Sequence, residues 1–489
     1  DRWEFGQGLP KIAEIELDHD DESGQLLVTV QDGESGNFAH YLRSPSGQYR
    51  QFSTFEDEIV QAVFGPADTL YLLTLRDGPM GSIVRISTST LDTDDAVTIV
   101  PHGRQPIVPS FYRDPPSIVV TETRLFVTYQ NGGPTELRVF DHSGRRLPGP
   151  RQQTMSTVGG MSVLPNDRIL FTMESWLQPR ETLLFDARAG TSVRLPAFSD
   201  LSQPLQNVKW RREFAVSKDG SRIPLTIISP GDLPDRQPAP CIATGYGAYR
   251  DSMRPTFEVI NQALLEAGCR LVVVHTRGGF EYGEDWYRGG MLMNRQNVVD
   301  DFAAGLQHVI ARGYTTPEQL GLVGFSYGGA LVGSMLAQHP KLFGACIAYF
   351  GFYDFLRSEL HSNGQYNIPA LGTVTNPEQY PVLRDSSPYH RISQGTDYPA
   401  TLLITSGNDP RVDPMHSRKM VAAMQTRTQS SKPILLLTVG NTGHFVVREE
   451  DTYGFLLNEI GARWKPPVQS LRLPKTDGRP RRNRRECSR

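Results

Sequence analysis

The sequence predicts a molecule in two parts: an all-β N-terminal region, then a mostly parallel, doubly wound α/β domain. Three observations lead there. Strand-like pairs recur at near-constant spacing through the first 205 residues. Near residue 326 a strand candidate, a Gly-rich turn bearing a serine and a helix candidate follow one another. Two later strand candidates run into loops that carry an aspartate and a histidine.

The repeats come first in the chain. Leu26-Leu27-Val28-Thr29-Val30 is echoed by runs starting at Leu70, Leu125 and Ile169, at spacings of 44, 55 and 44 residues. A second strand trails each, at Phe38–Leu42, Ser82–Ile86, Glu136–Phe140 and Glu181–Phe185. Gly-containing turns such as Ser46-Gly47 and Ser143-Gly144 close most of them. A β-rich period near 45 residues is the mark of propeller blades, because each blade buries its faces only against neighbours. About four blades are visible in 1–205, so a partial β-propeller is expected, with an irregular β-sandwich as the alternative.

The α/β part is expected over 206–468. Its most informative stretch is Gly324-Phe325-Ser326-Tyr327-Gly328-Gly329, with apolar Leu320–Val323 before it and helix-compatible Ala330–Ala337 after it. Alone, G-x-S-x-G is often a plain turn. Between a strand and a helix it lifts a serine hydroxyl above the sheet edge, as in α/β-hydrolases. A serine hydroxyl needs a base, and the base an orienting acid, in the chain order Ser, Asp or Glu, His. Thr401–Thr405 runs into Ser406–Val412, and Pro433–Val439 into Gly440–His444. Asp409 is thus expected as the acid and His444 as the general base. Asp413 competes as the acid while Asp409 could be a turn former; a satisfied surface histidine is the bland reading of His444. No His/Cys/Asp cluster has metal-ligand spacing, so neither a metal nor an organic cofactor is expected.

From about Trp210 to Trp464 the chain resembles the catalytic domain of the prolyl oligopeptidase family of serine peptidases. Gly245-Tyr246-Gly247-Ala248-Tyr249 resembles the family's oxyanion-hole loop, and Thr276–Gly283 its R-G-G-x-E-Y-G signature. Trp286, Gly289-Gly290 and Asn294-Arg295-Gln296-Asn297 through Asp300-Asp301-Phe302 continue the match, as do Ser387-Pro388-Tyr389 and Asp409-Pro410-Arg411-Val412. The resemblance implies that Tyr246 donates its hydroxyl to the tetrahedral oxyanion together with the backbone amide of Tyr327. It implies that Arg411 holds a substrate carbonyl with its fixed fork of donors. The plainer readings are a core tyrosine and a surface ion pair. In the loop from Gly364 to Gly372 the proline-selective members place a tryptophan and a tyrosine, where this chain has Asn367 and Leu371. Losing that platform removes a stacking contact worth about 1 kcal/mol. Tyr249 and Val412 still offer apolar pocket walls. Altered or relaxed post-proline specificity follows, and no acidic residue in the loop suggests a taste for Lys or Arg.

The family pairs its hydrolase with a seven-bladed propeller, and this chain begins at Asp1. An incomplete copy of a longer protein is expected rather than a reduced propeller that works as it stands. The 489 residues, 38% of them hydrophobic, suffice for two cores. No apolar run reaches the roughly 18 residues of a membrane-spanning helix. Four cysteines make no disulfide framework, and Cys241, Cys269 and Cys346 lie in apolar runs, which favours a reducing, cytoplasmic setting. The tail, 469–489, holds seven basic against two acidic residues from Lys475 onward in a chain of net charge −3. It reads as a disordered, solvated tail; without interleaved aromatic residues it is a poor nucleic-acid binder.

The expected function is that of a serine oligopeptidase acting on short peptides through an acyl-enzyme. An esterase, an acyl-transferring or peptide-cyclising hydrolase, and a catalytically silent binding protein are the alternatives.

Overall fold

A computed structural model describes residues 4–109, 116–196, 204–440, 442–444 and 449–463. The basic tail and the last residues of the expected hydrolase domain lie outside the described residues. In the N-terminal region four sheets follow in sequence, each of four antiparallel strands in simple order. They span Ala13–Asp20 to Tyr49–Ser53, Ile59–Gly65 to Val97–Val100, Ile118–Val120 to Arg146–Leu147, and Ser156–Leu164 to Thr191–Arg194. Seven of the eight strands expected from the repeat fall within the two central strands of these sheets, and the eighth, Leu70–Leu75, overruns Thr69–Thr74 by one residue. Those central strands are legible because both faces are covered. Leu125–Gln130 is buried throughout, so it reads as a continuous apolar run. The remaining strands, such as two-residue Arg146–Leu147 and exposed Thr191–Arg194, gave no signal. Apolar clusters join the first sheet to the second and the third to the fourth, the packing of successive blades.

The second part contains one eight-stranded sheet. Its strands are β1 Val208–Val216, β2 Arg222–Pro230, β3 Cys241–Thr244, β4 Arg270–Val274, β5 Leu320–Phe325, β6 Ala345–Tyr349, β7 Ala400–Ser406 and β8 Ile434–Val439. Their order is β1-β2-β4-β3-β5-β6-β7-β8, antiparallel at β1-β2 and β2-β4 and parallel thereafter. Five helices matter here: α1 Val259–Glu266, α2 Gln296–Ala311, α3 Tyr327–Gln338, α4 Met415–Arg427 and α5 Glu449–Glu459. Side chains of α2, α3 and α4 cover one face of the sheet, and those of α1 and α5 the other. The sheet is therefore doubly wound, with buried β-branched and leucine-rich strands such as Arg270–Val274 at its centre.

The two parts share a core. Tyr71, Leu73, Leu125 and Val127 of the second and third sheets, with Ile107 from the segment between them, pack with Phe280, Tyr287, Tyr327 and Leu371 of the α/β part. Polar contacts reinforce this seam: buried Arg250 pairs with Glu284 at 2.7 Å and also donates to the carbonyl of Ser35.

Behind β4 lies a further buried pair. Arg277 donates to Asp301 through Nε at 2.9 Å and Nη2 at 2.6 Å, and Asp301 also accepts from Ser217 at 2.6 Å. Asp301 anchors α2 to the loop after β4, where the Gly278 carbonyl accepts from the Arg250 amide at 3.1 Å. Removing one partner of such a pair strands a buried charge. Asp301→Ala is expected to lower stability by about 3–5 kcal/mol. The check is a lower urea midpoint for the α/β part at unchanged m-value.

Candidate active site

Ser326 sits where β5 ends and α3 begins, at φ 54° and ψ −115°. A left-handed backbone at a non-glycine residue is strained and persists only if its surroundings enforce it. Here the Ser326 amide donates to the Tyr349 carbonyl at 2.8 Å, and its carbonyl accepts from Ala330 at 3.1 Å. The turn also needs bare backbone. A Cβ on Gly324 would overlap the Gly328 carbonyl oxygen, and one on Gly328 would lie 2.8 Å from the Gly245 carbonyl. Tyr327 opens α3, so its amide belongs to the first turn, whose N–H groups lack intrahelical acceptors.

The loops after β7 and β8 meet beside this turn. Gly407 donates to the Gly440 carbonyl at 2.7 Å, and the Ser406 hydroxyl donates to the Thr442 carbonyl. These bonds hold Asp409 against His444, whose Nδ1 lies 2.7 Å from Asp409 Oδ2. The second carboxylate oxygen of Asp409 accepts from the amides of Arg411 at 2.8 Å and Val412 at 3.0 Å. Burial by itself would raise this carboxyl, but the His444 and backbone hydrogen bonds outweigh it and hold it below its ordinary value. Binding through Nδ1 leaves Nε2 as the basic nitrogen of His444. The ring is buried between Phe325 and Phe350, each with its centroid 5.3 Å away. Asp413, the competing acid, instead accepts from the Met415 amide at 2.7 Å at the head of α4 and lies 3.3 Å from His361.

Tyr246 follows β3, and its ring lies 6.2 Å from that of Tyr327, the residue after Ser326. Burial pushes the Tyr246 phenol far above its ordinary value, so it stays a donor at any working pH. A cavity of about 370 Å³ opens over Ser326. Tyr246, Tyr249, Phe352, Asn367, Arg411 and Val412 line it, and so do Glu34, Asp251, Arg254 and Asn363. The Tyr249 hydroxyl donates to Asn367 Oδ1 at 2.7 Å, tying two expected pocket residues together. Arg411 Nη2 donates to Glu34 at 2.6 Å, so the plainer reading of this arginine, an ion pair, describes its contact. Glu34 belongs to a turn of the first N-terminal sheet, and its own amide donates to the Tyr366 carbonyl at 3.0 Å.

Leu371 departs from expectation. It does not line the cavity but is buried in the core shared by the two parts, beside Tyr249 and Tyr327. An apolar side chain is better housed there than at a cavity that Glu34, Asp251, Arg254 and Arg411 also line. Sequence reasoning missed Glu34, Asp251, Arg254, Asn363 and Phe352. Only Phe352 carried a local signal, since it follows the carboxyl end of β6, where open α/β sheets bind ligands. Among the described residues no group of three His, Cys, Asp or Glu could hold a metal ion. No described helix is long and apolar enough to cross a membrane.

Residues 255–461 match the family model described as the prolyl oligopeptidase family, and residues 8–195 the one described as the prolyl oligopeptidase N-terminal β-propeller domain. The chain is 27% identical over 459 residues to the prolyl endopeptidase of Elizabethkingia meningoseptica, spanning 91% of this chain and 63% of that protein. It is 25% identical to Protease 2 of Moraxella lacunata, over 92% of this chain and 66% of that one. Among solved structures it is similar to a prolyl endopeptidase with a TM-score of 0.85 and 26% identity, covering 92% of this chain and 67% of the other. It shares the fold of oligopeptidase B from Leishmania major at a TM-score of 0.82 and 20% identity, covering 93% of this chain and 66% of that one. The chain thus spans a little over three fifths of the length of the Elizabethkingia relative.

The depressed Asp409 carboxyl has a pH consequence. Its stabilising effect is complete above the unfolded value near 4 and disappears as pH falls through its lower folded value. Asp409→Asn is expected to melt lower than the parent at pH 7, and the gap should shrink as pH falls below about 4. Melting curves across pH check this; a gap constant from pH 7 to 2.5 would contradict it.

Proposed function

Since the chain belongs to the prolyl oligopeptidase family, we propose that it is a serine peptidase that cleaves short peptides through an acyl-enzyme at Ser326. One observation carries the reading: a strained Ser326 in a cavity that Tyr246 also lines, with an Asp409–His444 pair 2.7 Å long held beside it. In this reading Ser326 Oγ attacks the scissile carbonyl carbon while His444 Nε2 takes the hydroxyl proton. Asp409 fixes the imidazole and stabilises its charged form. The Tyr246 hydroxyl and the Tyr327 amide receive the oxyanion. The C–N bond then breaks, His444 returns the proton to the leaving amine, and water repeats the sequence to free the acyl group and Ser326.

The cavity supports a short, extended substrate. Arg411 has a five-donor fork of which Glu34 engages one nitrogen, so its remaining N–H groups can meet a substrate carbonyl while Glu34 fixes its direction. Phe352, Tyr249 and Val412 supply apolar wall in place of the absent tryptophan, and Asn367 adds a polar edge. These features support cleavage after proline with relaxed selectivity. Three buried thiols, Cys241, Cys269 and Cys346, support work in a reducing setting such as the cytoplasm.

A library of short fluorogenic peptides, varied at the residue before the scissile bond, tests the reading. Turnover is expected in the parent and none in Ser326→Ala. Tyr246→Phe should lower kcat about 10²–10³-fold with little change in KM, the cost of one oxyanion donor. Turnover of p-nitrophenyl esters alone would move the assignment to an esterase. Folded protein that neither turns over peptides nor labels at Ser326 with a fluorophosphonate would sink it.

A further inference from the structure

Arg295, next to the first residue of α2, is 3% exposed, and none of its three guanidinium nitrogens has a hydrogen-bond partner. The other three buried arginines among the described residues are all satisfied: Arg250 by Glu284, Arg277 by Asp301, and Arg270 by the carbonyls of Gln237, Tyr314 and Pro234. A guanidinium keeps its charge at any working pH, so burial without a partner is strongly unfavourable. One face of the group is covered, because its central carbon lies 4.6 Å from the Phe355 ring centroid. The N–H edges remain, and they point in the plane of the group.

Beside Arg295 is a small void of about 10 Å³, enough for one water-sized body. Val298, Tyr327, Ala330, Ser334, Phe355 and Ser386 are among the residues around it, and no aspartate or glutamate is. The hydroxyls of Ser334 and Ser386 donate to the carbonyls of Ala330 at 3.1 Å and Val382 at 2.6 Å; either can rotate its proton toward a new acceptor.

We propose that this void is a binding site for a monatomic anion, filled by chloride in solution. Water would satisfy the N–H groups but leave the charge uncompensated, and polyatomic anions exceed the space. Chloride supplies both the acceptor and the counter-charge. Its place is the seam between α2 and α3, behind Tyr327, so it braces the helix that Ser326 precedes. This site is independent of the peptidase reading, and its test needs no turnover.

Melting temperatures in sodium chloride and sodium gluconate at equal ionic strength give the first readout. The parent should melt roughly 3 °C higher in saturating chloride. Arg295→Met, which keeps the unbranched stem and removes the charge, should lose that difference. Ser334→Val, which fills the void and keeps Arg295, should lose it too, and serves if the first variant does not fold. Crystals grown in bromide should show an anomalous peak at the guanidinium edge. Equal melting in the two salts, a chloride response retained by either folded variant, or a bromide-free void occupied by water would each overturn the proposal.

Discussion

The φ of 54° at Ser326 is the constraint around which the α/β part is arranged. Such a conformation costs on the order of 1–3 kcal/mol and relaxes unless packing forbids it. Two things forbid it here. The backbone bonds to Tyr349 and Ala330 fix both sides of the turn. Helix α3 is buried from Tyr327 through Leu336, so it has no solvent face on which to slide away. Gly324 and Gly328 then become necessities of clearance, because the turn brings backbone against backbone where a methyl group has no room. The hydroxyl is thereby presented at the carboxyl end of the sheet, where the loops after β3, β7 and β8 converge.

Each of those loops is held from outside itself. The loop after β3 carries Tyr246 and leans on the loop after β4, which Asp301 anchors through Arg277. The loops after β7 and β8 hold each other through Ser406, Gly407, Gly440 and Thr442. Geometry at the Asp409–His444 pair is therefore inherited from adjacent parallel strands and from a few backbone bonds. The electrostatics follow from the same contacts. The hydrogen bonds that orient Asp409 also hold its carboxyl below the ordinary value despite burial.

The N-terminal region contributes a residue to the candidate site. Glu34 reaches Arg411 across the seam, and its amide holds the Tyr366 carbonyl in the loop that carries Asn367. As an exposed ion pair this contact contributes little stability, at most about 1 kcal/mol. Its importance is directional, since a long arginine side chain otherwise samples many rotamers. The shared apolar core places Tyr327 and Leu371 against the second and third sheets, so the seam packs directly behind the cavity over Ser326.

The sequence by itself determined the elements whose signals are local. The strand–Ser326–helix turn, the chain order Ser326, Asp409, His444 and the four repeating strand pairs were legible because periodicity, glycine placement and apolar runs act over a few residues. Its resemblance to a known family supplied Tyr246 and Arg411 as candidates. What only the tertiary structure decided depends on pairs distant in the chain. Glu34 lies 377 residues from Arg411, and no local pattern marks a turn glutamate as a pocket wall. Leu371 looked like a pocket residue and joined the core, because burial of an apolar side chain is decided by which surface is dry. Arg295 looked like one more motif position, and only the packing of α2 against α3 left its charge without a partner. Local propensity builds strands, turns and helices; the identity of the groups that meet is set by burial and by where the chain returns.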